Sequence, residues 1–278
     1  MKILITGANG QLGQEMQHLL DERGQEYLAE DSQGLDITDK EAVDAYFEKN
    51  KPEVVYHCAA YTAVDKAEGE GKELNWKVNV DGTENIAKAC QKVGATLLYV
   101  STDYVFDGNR TSGEYLPDDP KGPRNEYGKA KLAGEEAVQK YCDKYYIIRT
   151  AWVYGKWGHN FVYTMLNLAK NHDKLTVVDD QVGRPTWTRT LAEFLTYLVD
   201  NKIEYGVYHC CNDGQCSWYE FAKEILKDTD VDVQPVTSDQ YPTAAFRPHY
   251  SVMKLAKETG FVFPDWKEAL DEFLSEVK

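Results

Sequence analysis

Short apolar runs alternate with stretches in which apolar residues recur every three or four positions throughout the first half of the chain. Residues 2–6 (KILIT) read as a buried strand, and the positions after them predict a helix from about Gly10 to Arg23. A second strand is predicted near 26–30. Asp39 is placed to cap a helix ending before Pro52, and 53–58 form a third strand. A long helix then covers roughly 74–93 with Gly94 as its stop, followed by a fourth strand at 96–100. A loop rich in Asp, Gly and Pro spans about 107–125, before a helix from near Glu126 and a fifth strand at 145–148. Beyond Tyr154-Gly155 the pattern is less regular: a helix near 158–171, a strand at 175–178, a helix at 188–200 and a strand at 206–210 able to rejoin the main sheet. From Asp213 onward helices dominate around a short strand near 231–236. This order predicts an α/β fold, a Rossmann-like doubly wound parallel sheet with a smaller, mostly C-terminal lobe lying across its ligand cleft.

Composition narrows the choice of partners. The 278 residues are 42% hydrophobic, enough for one large core or two unequal ones. The formal charge of −15 argues against a general nucleic-acid binder, although a few placed arginines and helix N-termini would still accept an anionic small ligand. No run approaches the ~20 apolar residues of a membrane span. Met1-Lys2 leads directly into Ile3-Leu4-Ile5 and Gly7, too short for a signal-peptide core, so a cytoplasmic protein without membrane or nucleic-acid partners is expected. Cys58, Cys90, Cys142, Cys210, Cys211 and Cys216 include no Cys-x-x-Cys pair, and the six histidines lack ligand spacing. Buried reduced thiols and no structural metal are expected.

Candidate chemistry begins with Gly7-Ala8-Asn9-Gly10-Gln11-Leu12-Gly13, directly after a strand and opening a helix. The first glycine permits the tight turn, and the second lets backbone approach a pyrophosphate. The third lets the helix pack close to the sheet. A structural corner would also want glycines, but the context on both sides and the acidic pair Glu30-Asp31 after the second strand favour a dinucleotide. Asp31 is placed to bind an adenosine ribose, which by itself favours NAD, while Ser32 leaves NADP open. On this reading residues 1–150 and about 185–212 form an NAD(P)-binding domain, with about 151–184 and 213–278 as a substrate-binding lobe.

Tyr127 and Lys131 stand four residues apart, on one helix face. A phenol is a suitable acid for carbonyl reduction if its pKa near ~10 falls toward neutrality, which an adjacent ammonium would promote. The Tyr-x-x-x-Lys pattern also occurs at Tyr219/Lys223 and Tyr250/Lys254, but only the first follows a strand ending in Ser101-Thr102-Asp103-Tyr104. Strand carboxyl ends are where ligands sit in such sheets, so Thr102 and Tyr127 are expected to meet one carbonyl.

With these go CAAYTAVD (58–65), STDYVFDG (101–108), YGKAKLAGE (127–135), RTAWVYG (149–155), Asn160-Phe161, GRPT (183–186) and Arg247-Pro248. In this order the motifs closely resemble the dTDP-4-dehydrorhamnose reductase family of extended short-chain dehydrogenases/reductases, over essentially the whole chain. The resemblance implies NADPH- or NADH-dependent reduction of the C4 keto group of dTDP-4-dehydro-L-rhamnose, a step toward surface polysaccharide. It implies Tyr127 as proton donor, Lys131 as the group lowering its pKa, and Thr102 orienting the carbonyl. Gly7, Gly10, Gln11, Leu12, Gly13, Asp31, Asp36, Ile37, Ala60, Tyr61 and Thr62 would line the cofactor, and Thr102, Asp103 and Trp152 the sugar nucleotide. Some members are magnesium-linked dimers; no compelling carboxylate cluster is visible here, so magnesium is expected only as a dimer-interface ion, in a monomer or homodimer.

Other residues are read more plainly. Tyr154 is either core or ligand-facing, and Glu135 and Glu136 read as a solvated helix face. Arg184, Arg189 and Arg247 are candidates for a diphosphate clamp, with Arg247 favoured for its setting in a C-terminal loop. Two other readings stay open: a non-catalytic dinucleotide-binding regulatory subunit, and a nucleotide-sugar epimerase or dehydratase, which would retain NAD tightly.

Overall fold

The computed structural model describes residues 1–277. The first half runs β1 (Ile3–Thr6), α1 (Gln11–Glu22), β2 (Tyr27–Glu30), α2 (Lys40–Asn50), β3 (Val54–His57), α3 (Lys72–Trp76), α4 (Thr83–Val93), β4 (Thr96–Thr102), α5 (Glu126–Tyr141) and β5 (Tyr145–Thr150). Then come β6 (Val153–Tyr154), α6 (Phe161–Ala169), β7 (Lys174–Val178), β8 (Val182–Gly183), β9 (Thr186–Trp187), α7 (Thr188–Asp200) and β10 (Gly206–His209). The chain closes with β11 (Cys216–Ser217), α8 (Trp218–Ile225), β12 (Asp232–Val236) and α9 (Trp266–Val277).

Six strands form one sheet in the order β10-β5-β4-β3-β1-β2, and every pairing is parallel. Strand residues alternate between its two buried faces. Ile3, Ile5, Tyr56, Leu98 and Ile148 pack against Met16 and Leu20 of α1 and Leu191 and Leu195 of α7. Leu4, Val55, Leu97, Tyr99 and Ile147 pack on the other face against Phe47, Ile86, Cys90 and Val138. Covering both faces with helices is what lets such strands be apolar at every position. The chain steps from β1 to β2 on one side and returns to β3 on the other, so the order reverses between β1 and β3. Ligands of open α/β sheets bind at that reversal, beyond the strand carboxyl ends.

A separate apolar cluster gathers Tyr154, Val162, Val177, Trp187, Phe221, Leu270 and Phe273, from β6, α6, β7, β9, α8 and α9. The parallel pair β7–β12 flanks it.

Three differences from the sequence reading have physical causes. The helix predicted over 74–93 is α3 and α4 joined by a π-helical stretch, Lys77–Gly82, within which Asn79 is buried and turned to the backbone of the loop after β3. The fourth strand continues to Thr102, two residues past its predicted end, because Ser101 and Thr102 stay paired with Arg149 and Thr150 of β5. The two-residue strands β6, β8, β9 and β11 were not predicted, since a run that short carries no period. Among the described residues no helix is long and apolar enough to cross a membrane.

Candidate active site

The glycine turn lies at the sheet's reversal point, and its three glycines meet different surroundings. Gly7 has φ +68°, and a Cβ there would come 2.5 Å from the Ala59 backbone nitrogen just beyond β3. A Cβ on Gly13 would strike the Gly7 carbonyl oxygen and the Ala8 Cα, so only glycine lets α1 settle onto the turn. Gly10 is less constrained: its Cβ would meet only the Gly7 oxygen, at 3.2 Å. Internal packing therefore explains two glycines, and the third leaves a backbone cradle at an α1 N-terminus that no side chain caps. That cradle fits a pyrophosphate.

The other cofactor-side candidates surround this turn. Leu12 is buried against the sheet, and Gln11 Oε1 accepts from Asn160 Nδ2 (3.3 Å), joining the first turn of α1 to the cap of α6. The Asp31 carboxylate accepts from Asn9 Nδ2 (2.5 Å) and from the Gln33 and Gly34 amides, which hold it below the usual carboxylate range. Asp36 caps Thr38, and Ile37 packs its side chain where Gly82 has no Cβ. After β3, Ala60 is half-buried, Tyr61 is latched through both its amide and carbonyl by Asn79, and Thr62 is exposed.

One strand further along, β4 ends in Ser101 and Thr102, whose side chains go to opposite sides. Thr102 Oγ1 donates to Asp103 Oδ1 (3.0 Å) and accepts from the Tyr104 amide (3.2 Å). Tyr127 reaches the same place from the first turn of α5, which Asn125 caps by accepting from the Gly128 amide at 2.7 Å. Gly128 is what permits the approach, because a Cβ there would strike the Tyr104 carbonyl oxygen. The Tyr104 and Tyr127 rings meet edge-on at 6.0 Å, which brings the Tyr127 phenol beside Thr102, whose hydroxyl favours the ionised form of that phenol.

Electrostatics here differ from the sequence expectation. Burial and the nearby Asp103 carboxylate push the Tyr127 phenol above its ordinary pKa, against the opposing pull of Thr102. Lys131 does not lower it: its buried Nζ stands 4.0 Å above the Tyr99 ring, and burial pulls its own pKa down to about 7. The phenol thus holds its proton at neutral pH, the state a proton donor requires. Asp103 is 3% exposed, its Oδ2 has no hydrogen-bond partner, and burial pushes its carboxyl up to about 6 against the neighbouring Ser251 and Thr102 hydroxyls.

Several residues take other places than expected. Glu135 is buried rather than solvated: its carboxylate takes two hydrogen bonds from Arg149 (2.6 and 2.8 Å) and one from Ser101 Oγ (2.6 Å). The apolar rows flanking it on α5 hide this, because the partner comes from β5, fourteen residues on. Arg189 is held by Glu22 and Glu193, both at 2.7 Å, so its charge is spent within the protein. Arg184 pairs with Glu114 at 2.7 Å. Arg247 pairs with Asp65 (2.7 Å) and lies 6.0 Å from the Tyr104 ring, beside the Tyr127 cluster. Tyr154 belongs wholly to the core. Trp152 follows β5 with φ +49° and stacks on Trp218 at 3.7 Å and 14°. Trp218 was not singled out from sequence; the Ser217-x-x-Glu220 capping box marks a helix start there, but not what the indole faces.

A parallel sheet, a glycine cradle at its reversal and a Thr–Tyr–Lys grouping at the next strand define an extended short-chain dehydrogenase/reductase architecture. A family model described as the RmlD substrate binding domain matches residues 1–278. The dTDP-4-dehydrorhamnose reductase of Streptomyces griseus is 44% identical over 280 residues, covering 97% of this chain and 91% of its own. Among solved structures, a dTDP-4-dehydrorhamnose reductase from Clostridium acetobutylicum superimposes with TM-score 0.96 at 48% identity, covering 100% of this chain and 99% of the other. The Bacillus anthracis reductase, in complex with NADP, gives TM-score 0.95 at 41% identity with 99% of each chain covered. The chain belongs to the RmlD family, that of the dTDP-4-dehydrorhamnose reductases.

Proposed function

We propose that this protein reduces the C4 keto group of dTDP-4-dehydro-L-rhamnose to give dTDP-L-rhamnose, with NADPH or NADH as reductant, in the supply of surface polysaccharide. The observation that carries the reading is the convergence of Thr102 and Tyr127 on Tyr104 at the carboxyl end of β4, two strands from the glycine cradle. The cradle, with Gly7, Gly10, Gln11, Leu12 and Gly13, would hold the pyrophosphate. Asp31, Asp36 and Ile37 would flank the adenosine side, and Ala60, Tyr61 and Thr62 the middle of the cofactor. When bound, the reduced nicotinamide supplies the hydride.

The chain's own groups supply the rest. Thr102 turns its single hydroxyl proton from Asp103 to the sugar C4 oxygen and orients it. As negative charge develops there, the protonated Tyr127 transfers its proton to that oxygen. An alkoxide is far more basic than any phenolate, so a phenol of raised pKa still gives up its proton. Lys131 holds the nicotinamide ribose. Asp103 and Trp152 contact the sugar, and Arg247 faces the diphosphate, exchanging Asp65 for phosphate oxygens of the same charge sign. We assign the elements after β5 outside 185–212 to the substrate-binding lobe. The six unpaired cysteines support a cytoplasmic setting.

The test is direct. Purified protein mixed with NADPH or NADH and dTDP-4-dehydro-L-rhamnose should consume reduced nicotinamide, followed by its absorbance, in proportion to sugar nucleotide added. Absence of turnover with both reductants removes the assignment.

A further inference from the structure

A tryptophan at φ +49° is in a conformation that a bulky residue holds only where its surroundings over-determine it. The surroundings of Trp152 come from one small ladder. Strands β8 and β11 pair antiparallel, Gly183 opposite Cys216 and Val182 opposite Ser217. From β8, Gly183 leaves free the space in which a Cβ would lie 2.8 Å from Trp152 Cε2. The residue after β11 is Trp218, whose ring lies on Trp152 at 3.7 Å and 14°.

Trp218 is itself fixed. The Ser217 hydroxyl caps α8 by accepting from the Glu220 amide (3.1 Å) and donates to Asp179 (2.5 Å), while Phe161 packs on the Trp218 ring at 4.6 Å. Trp152 is partly buried and packs against both the sheet cluster and the cluster of α6, α8 and α9. One indole therefore joins the two cores, two residues beyond the Thr150 that pairs with Thr102.

We propose that Trp218 is a positioning residue: through its stack it holds Trp152 in the strained orientation in which that indole meets the sugar nucleotide, with Gly183 providing the clearance. This deepens the proposed reductase reading and rests on it, since it takes Trp152 as a sugar contact. Trp218 acts on binding of the sugar nucleotide and leaves dinucleotide binding and the chemical step alone.

The experiment measures KM for dTDP-4-dehydro-L-rhamnose, kcat, the Kd for NADPH and the near-ultraviolet circular dichroism of the stacked indoles. Trp218→Leu keeps apolar bulk and removes the stack. Its KM should rise about threefold to tenfold, the loss of one aromatic pair. The exciton signal should disappear, with kcat and the NADPH Kd changed less than about twofold. Trp218→Phe keeps a ring and should recover most of the wild-type KM. Gly183→Ala perturbs Trp152 from the other side and should raise KM in the same way; it carries the test if the leucine variant does not fold. An unchanged KM in a variant whose exciton signal is lost overturns the proposal, as does a parallel rise in the NADPH Kd. Trp152→Ala separates the two levels of inference. If it raises KM while Trp218→Leu does not, only the positioning role fails; if it leaves KM unchanged while turnover persists, Trp152 is no sugar contact and the positioning role falls with it.

Discussion

Asp103 sits beside the proposed proton donor at a stability cost that can be worked out. Its carboxyl is 3% exposed, its Oδ2 lacks a partner, and its pKa is pushed from 3.8 to about 6 by burial. Between roughly pH 4 and pH 6 the folded protein keeps a proton that the unfolded chain has already released. The protonated carboxyl's contribution is therefore fully present below about pH 4 and lost as pH rises through about 6. The separation corresponds to about 3 kcal/mol at neutral pH, from 1.36 kcal/mol per pH unit. Asp103→Asn resembles the protonated acid in shape, retains an acceptor for Thr102 and cannot ionise. Its advantage over the wild type should grow from about 1–2 kcal/mol at pH 5 to about 3 kcal/mol at pH 8. With a urea slope near ~3 kcal/mol/M, the variant's unfolding midpoint should gain roughly 0.5 M more at pH 8 than at pH 5. The same variant should lose activity if the carboxylate touches the sugar. A midpoint difference that does not change with pH would refute the reasoning.

Further expectations concern the groups around this site. Glu135→Gln leaves the Arg149 guanidinium buried without a counter-charge and should cost about 3–5 kcal/mol of unfolding free energy, read from urea denaturation. Burial draws the Lys131 ammonium down to about 7, so its charge is present below that pH and lost above it; NADPH should bind more weakly at pH 8.5 than at pH 6.5 by calorimetry, a difference absent from Lys131→Met. Arg189→Ala breaks ion pairs to Glu22 and Glu193 away from the proposed chemistry, and should keep kcat/KM within about twofold while lowering the melting temperature.

What the sequence disclosed follows from how far each signal reaches along the chain. Strands such as 2–6 and 96–100 and the glycine turn declare themselves within a dozen residues, because period, φ > 0 and close approach are local demands. The Tyr127–Lys131 spacing is equally local, and the strand end ahead of it is what sets that pair apart from the two others with the same spacing. Long-range partners were hidden. Glu135 reads as a surface acid until β5 brings Arg149 to it, and Arg189 stays one of three candidate phosphate ligands until α1 supplies Glu22. Nor does Tyr-x-x-x-Lys spacing say where the ammonium goes; it rests over Tyr99, a residue of the neighbouring strand. Trp218 lies 66 positions beyond the indole it covers, joined to it through a ladder of two-residue strands that no periodicity announces.

Reduction in this site depends on Tyr127 giving its proton to the sugar oxygen. The measurement closest to it is turnover of dTDP-4-dehydro-L-rhamnose by Tyr127→Phe, with NADPH binding recorded on the same sample by nicotinamide fluorescence. Loss of the phenolic proton should reduce kcat by about 10²–10⁴-fold while NADPH binds with near-wild-type affinity. A variant that turns over at the wild-type rate would contradict the account at its centre.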